Sequence, residues 1–241
     1  MVQRSTEDLG RRRVGEVVAE DYRKASVFER FGIDFCCGGN RSVREACEAS
    51  GVAYDDVAQA LVEAGARKGG EADTRSWALD ELVDHIVAVH HHYVRESLPP
   101  LVAFSEKVSR VHGDRHAELR EIQGLVQELA AELSRHMETE ESALFPGVAE
   151  LVVAKASTGA GAAGPGSFAA RLQVLEDDHE HAGALMHRIR DLSGGFTTPD
   201  DACTTYRAFY GKLAEFESDL HLHVHLENNV LFPGVRALAE A

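Results

Sequence analysis

Cysteine is scarce in this chain, with four in 241 residues. A disulfide scaffold needs a denser set, so a buried core must hold the fold, and the thiols suit a reducing compartment. Long apolar runs are missing too. No run of about 18 apolar residues occurs, which supports neither a spanning helix nor a signal peptide and leaves the cytoplasm as the expected location. Basic charge is short: 25 Lys and Arg stand against 40 Asp and Glu, a formal net charge of −15. Phosphate-backbone recognition needs clustered cations, so nucleic-acid binding is excluded as the main activity. Period-two alternation is also lacking, which argues against strands. Histidine is missing from the N-terminal third, because all 13 lie between His85 and His225.

A hydrophobic content of 44% is ordinary for a chain that buries a core. Two parts are expected. Residues 1–66 form a small helical domain, with Val14, Val17, Val18 and Tyr22, and later Val57, Leu61 and Val62, at helical spacing. Between these lies FGIDFCCGGN, too rich in glycine for a helix interior. The small polar stretch GARKGGEADT marks a linker, placed at 67–75. Residues 76–241 carry four helix-like stretches. They run from Ser76 to a stop at Pro99-Pro100, from Arg115 to a stop before Pro146, from Phe168 to Leu192, and from Pro199 to a stop before Pro233. A Gly, Ala and Ser loop fills 157–167. The class is all-α, a four-helix bundle behind a small helical domain.

The bundle repeats itself. HMETEESALFPGV at 136–148 and HVHLENNVLFPGV at 223–235 are identical at seven positions. His91 and His179 occupy matching places one helix earlier. Such a repeat predicts a pseudo-two-fold bundle in which equivalent residues meet at the axis. His136 with Glu140, and His223 with Glu227, share a face at i, i+4. Four imidazoles and two carboxylates suit two first-row metal ions, and carboxylate charge offsets metal charge in a low-dielectric core. The set leaves coordination positions open, which favours reactivity toward a small ligand over a structural role. The zinc-protease pattern HExxH is absent. His90 and His92 flank His91 off its face, and His221 and His225 point away from that of His223. His112, near the bundle end, is a further candidate to line the site.

Cys36 and Cys37 are adjacent, a spacing that opposes an unstrained mutual disulfide. With Gly38-Gly39 beside them, the thiols would bind iron, exchange electrons or disulfides with a partner, or fill a buried turn. The residues alone leave these readings open. Cys47 and Cys203 read as core filling, and Phe31, Ile33 and Phe35 as local packing.

HHHYVRESLPPL, HMETEESALFP, DDHEHAG and HLENNVLFP resemble the hemerythrin-like bundle of the iron–sulfur cluster repair di-iron proteins, and FERFGIDFCCGGN resembles the short cysteine-containing domain that precedes it there. The resemblance covers nearly the whole chain, domain order included. It implies two non-haem iron ions bridged by Glu140 and Glu227, with His91, His136, His179 and His223 as terminal ligands. It also implies repair of clusters damaged by nitric oxide or oxidants, by iron donation or nitric oxide reduction, with Cys36 and Cys37 handling a partner, a reductant or transferred iron. The implied partners are damaged iron–sulfur proteins and small ligands such as nitric oxide or oxygen; a homodimer is compatible with the sequence. The alternative is a hemerythrin-like sensor or store that binds oxygen or nitric oxide without turnover.

Overall fold

Runs of apolar residues at three- and four-residue steps set the helices of this chain, whose computed structural model describes residues 8–66, 77–158 and 165–240. The N-terminal part holds α1 (Val14–Glu20), α2 (Ala25–Arg30), α3 (Val43–Ala49) and α4 (Tyr54–Ala66). Val14, Val17 and Val18 turn inward from α1, and Val57 and Leu61 from α4. A reciprocal cap starts α3: the Ser42 hydroxyl accepts from Glu45 N–H, and the Glu45 carboxylate accepts from Ser42 N–H. The expected linker at 67–75 and the start at Ser76 lie outside the described residues.

The bundle follows as α5 (Leu79–His85), α6 (His92–His112), α7 (Glu118–Thr139), α8 (Phe145–Thr158), α9 (Pro165–Leu192), α10 (Thr204–Leu226) and α11 (Phe232–Glu240). Among the described residues three π-helical turns join consecutive helices: Ile86–His91, Glu140–Leu144 and Glu227–Leu231. Among the described residues no helix is long and apolar enough to cross a membrane.

Proline does not end the helices where the sequence suggested. Pro99 and Pro100 sit inside α6. Their missing N–H groups strand the carbonyls of Arg95 and Glu96, both exposed residues, so the helix continues on its solvent side. Pro146 and Pro233 fall at the second positions of α8 and α11, because the π turns reset the register and give each proline a first-turn place. The last long helix begins at Thr204, not Pro199, whose carbonyl instead accepts from Ala202 N–H in the preceding turn.

Within the bundle α6 packs on α7 and α10, and α7 on α9; α9 and α10 approach one another less closely. Two apolar clusters fill the interior. One holds Val94, Leu133, Met137, Ala182, Leu220 and Val224, and continues into the N-terminal helices through Phe28, Ile33 and Phe35. The other holds Ile86, Leu144, Leu175, Leu226 and Phe232. His91, His136, His179 and His223 each lie on their helix between a residue of one cluster and a residue of the other. The bundle is thus apolar, polar, apolar along its axis.

Candidate metal centre

Each π turn abuts that polar layer. The first ends on His91, and the other two start on Glu140 and Glu227. A π turn adds a residue to the ladder and re-aims the side chains around it, a device common at functional sites. Here it turns a carboxylate to the axis and restores Leu144-Phe145 and Leu231-Phe232 to the core. All six candidates from the sequence are buried and come together.

They form two four-residue sets, His91–Glu140–His223–Glu227 and His136–Glu140–His179–Glu227, each with one atom per residue lying mutually within 4.8 Å. Both carboxylates belong to both sets. His91 Nε2 is 3.3 Å from one Glu140 oxygen, and His136 Nε2 is 3.3 Å from the other. Glu227 likewise faces His179 Nε2 at 3.1 Å and His223 Nε2 at 3.1 Å. The Nε2 atoms of His136 and His179 stand 2.9 Å apart.

This arrangement fits a bound cation better than a hydrogen-bonded core. His91 Nε2, both Glu140 oxygens and Glu227 Oε2 are buried and make no well-directed hydrogen bond. Burial and Glu227 push the Glu140 carboxyl up, yet the His136 and His91 imidazoles outweigh them and hold it below its usual range. Glu227 is likewise disfavoured by burial and still held well down by His223, His179 and His91. Burial opposes charge on His91 and His136, but the carboxylates raise them to about 10 and about 9. His223 is lowered, chiefly by burial. Without metal, protons on imidazole balance the two carboxylates. Cations would take the place of those protons, as ligand sets of nitrogen and oxygen allow.

The outer nitrogens are anchored by residues that sequence reasoning missed. His91 Nδ1 faces Glu141 at 2.6 Å, and Glu141 also accepts from Arg95 at 2.7 Å. His179 Nδ1 faces Asn228 Oδ1 at 2.8 Å, and His136 Nδ1 faces Asp178 at 3.5 Å. An amide oxygen can only accept, so His179 donates from Nδ1 to Asn228, and Nε2 is the atom left facing the axis. His90, expected off the face of His91, is nonetheless buried: it is 1% exposed, stacks on His223 at 5.6 Å and meets Asp219 at 3.1 Å. The repeat held a signal for part of this, since each shared glutamate is followed by a polar residue, Glu141 or Asn228, in the same place. His112 is not at the site. It lies the full 21-residue length of α6 away, about 30 Å, against Cys203 at 3.3 Å.

Cys36 and Cys37 come to the seam between α9 and α10. Cys37 Sγ lies 3.6 Å from the His179 carbonyl oxygen. Asn228 donates to the Cys36 carbonyl at 3.4 Å, and Asn229 donates to the carbonyls of Phe35 and Cys36 at 3.3 and 3.1 Å. Gly15 and Gly39 close around Asn229, where a Cβ on either would meet its Oδ1 at 2.1 or 2.2 Å. Phe35 also packs on His221 and His225 of α10, so those two histidines receive the cysteine domain. The two thiols are free, with Cys36 buried and Cys37 half-buried. A hydrogen bond to Cys37, burial and the nearby Asp34 push the Cys36 thiol well above its usual range. Cys47 fills core as expected, whereas Cys203 is exposed at the start of α10.

Comparison with known proteins agrees with this geometry. Residues 82–235 match the Hemerythrin HHE cation binding domain, and residues 10–65 match a Domain of Unknown function, DUF542. The chain is 36% identical over 226 residues to an iron-sulfur cluster repair protein YtfE of Enterobacter sp. (strain 638), covering 94% of this chain and 96% of that one. It is 35% identical over 220 residues to the protein of that name from Musicola paradisiaca, covering 91% and 94%. The same name is carried by an Escherichia coli O1:K1 relative, 36% identical over 94% of this chain and 96% of its own. The chain belongs to this iron–sulfur cluster repair family of hemerythrin-type bundles.

Proposed function

We propose that the chain is a di-iron protein of the cytoplasm that restores damaged iron–sulfur clusters, with Glu140 and Glu227 bridging two iron ions and His91, His136, His179 and His223 completing the ligand set. The carrying observation is the pair of four-residue sets that share both carboxylates. The name of the relatives supports the repair role. Iron held there would supply redox and Lewis-acid chemistry toward nitric oxide or oxygen, while iron released from there would be cargo for a damaged cluster.

The protein's own groups prepare that chemistry. Glu141, Asp178 and Asn228 orient three imidazoles from outside, so their Nε2 atoms already converge on the axis, where cations would displace protons. Two carboxylates offset part of the charge of two cations. Apolar clusters above and below keep water from the layer. Beside Glu141 lies a shallow surface cleft of about 460 Å³, lined by Arg95, Ser134, Glu138, Glu141 and Ser142, on the solvent side of the group that anchors His91. Cys36 and Cys37 serve the exchange with a client or reductant, from a cysteine domain that ends at residue 66 and joins the bundle through 67–75.

Reactivation of a nitrosylated iron–sulfur enzyme by the iron-loaded protein tests this reading. Cys36→Ser with Cys37→Ser should keep the bundle iron and lose most reactivation; equal reactivation would remove the cysteines from the function. Iron leaving the protein as the client gains it marks donation. Constant iron with loss of nitric oxide marks reduction. Reactivation by metal-free protein would contradict both.

A further inference from the structure

The cysteine loop has a constellation of its own. Cys36 Sγ and Cys37 Sγ stand 3.9 Å apart. Two thiolates on one tetrahedral ion, each bonded at about 2.3 Å, are about 3.8 Å apart, so the pair already has the edge length of a metal–dithiolate site. Asp34 completes a three-ligand group in which one atom from each residue lies within 4.8 Å of the others. Its Oδ1 is 3.2 Å from Cys36 Sγ. The carboxylate is fixed in place: Oδ1 accepts from the N–H groups of Cys36 and Cys37 at 3.0 Å each, and Oδ2 from Gly38 N–H at 2.9 Å. Asp34 is exposed and Cys37 half-buried, so one side of the group opens to solvent.

We propose that Asp34, Cys36 and Cys37 form a separate site for one divalent transition metal of borderline softness, such as iron(II), with its fourth position open to solvent or to a client's sulfur. Binding displaces the two thiol protons to solvent and changes no oxidation state. Two thiolates and a carboxylate more than offset the charge of a dication. Imidazole and carboxylate ligands alone make up the bundle centre, so the thiolate site differs in chemistry from its neighbour. The two are adjacent: Cys37 Sγ touches the carbonyl of His179, and Asn228 bridges His179 Nδ1 to the Cys36 carbonyl. Its use as a staging post for iron rests on the repair reading above; its existence as a metal site does not.

Cobalt(II) is a suitable probe, because thiolate-to-cobalt charge transfer absorbs only where sulfur is bound. The full chain with its bundle metal retained and quantified, in a Cys203→Ser background, is titrated anaerobically with cobalt. The expected result is a thiolate-to-cobalt band that saturates at about one ion per chain. Cys37→Ser, the half-buried and least disruptive change, should abolish the band with bundle metal unchanged; Cys36→Ser should do the same. Asp34→Asn should weaken cobalt binding by about tenfold, as loss of one orienting or ligating carboxylate does. Absence of the band in the parent protein, or its survival in both serine variants, would overturn the proposal. A bundle without metal would show in the metal count alone and leave the sulfur band to be judged on its own.

Discussion

The two halves of the bundle are built alike and differ in charge. In each half the residue after the shared glutamate reaches across to a histidine of the neighbouring helix: Glu141 to His91, and Asn228 to His179. In each half the residue before that histidine meets the other imidazole, with Asp178 beside His136 and His90 stacked on His223. The first half faces solvent near Arg95 and anchors with a carboxylate. The second half faces the cysteine domain and anchors with an amide, whose remaining N–H group holds the Cys36 carbonyl. Asn229, at the place of Ser142 in the repeat, fixes the same loop between two glycines. A repeated frame of His and Glu thus docks the cysteine loop on one side only.

The largest expected effect breaks the symmetry at its centre. Because Glu140 and Glu227 each belong to both sets, either alanine variant should lose both metals, whereas replacing one terminal histidine should leave a share behind. Elemental analysis of the purified variants checks this. Next come the anchors. Glu141→Ala and Asn228→Ala should each weaken metal binding by about 10- to 100-fold, the usual cost of removing a group that orients a ligand. Only Asn228→Ala should also quicken alkylation of Cys37, and equal quickening in both variants would erase the distinction between the halves.

Gly39→Ala should act on docking alone. A methyl there meets Asn229 Oδ1 at 2.2 Å and the Phe35 carbonyl at 2.9 Å, so the loop must move. A loss of about 1–3 kcal/mol in denaturant unfolding is expected, with bundle metal retained. The smallest effect is expected at His90. His90→Phe keeps an aromatic ring against His223 and should keep full metal, while His91→Phe should not. The reverse outcome would move the ligand by one residue.

Most of the candidate set was legible because its signal is local: His-x-x-x-Glu puts two side chains on one helical face, and the repeat tells which face turns inward. The helical class was legible from periodicity for the same reason. The π turns were not, since an added residue in the ladder follows from how neighbouring helices pack. Missing them turned Pro146 and Pro233 into false helix ends. Pro99-Pro100 misled differently, because whether a stranded carbonyl reaches water depends on which face of α6 it occupies. The burial of His90 and the grip of Asn229 on Phe35 and Cys36 join residues far apart in sequence, and no local pattern announces them.

We propose that the polar layer between the two apolar clusters holds a pair of metal ions. Plasma mass spectrometry of the untagged chain from iron-replete cells, expressed as metal per chain, tests it most directly. About two irons per chain, falling together in Glu140→Ala, is the expected result. Zinc alone, or no metal in the parent protein, would contradict it and leave the converging imidazoles and carboxylates as packing.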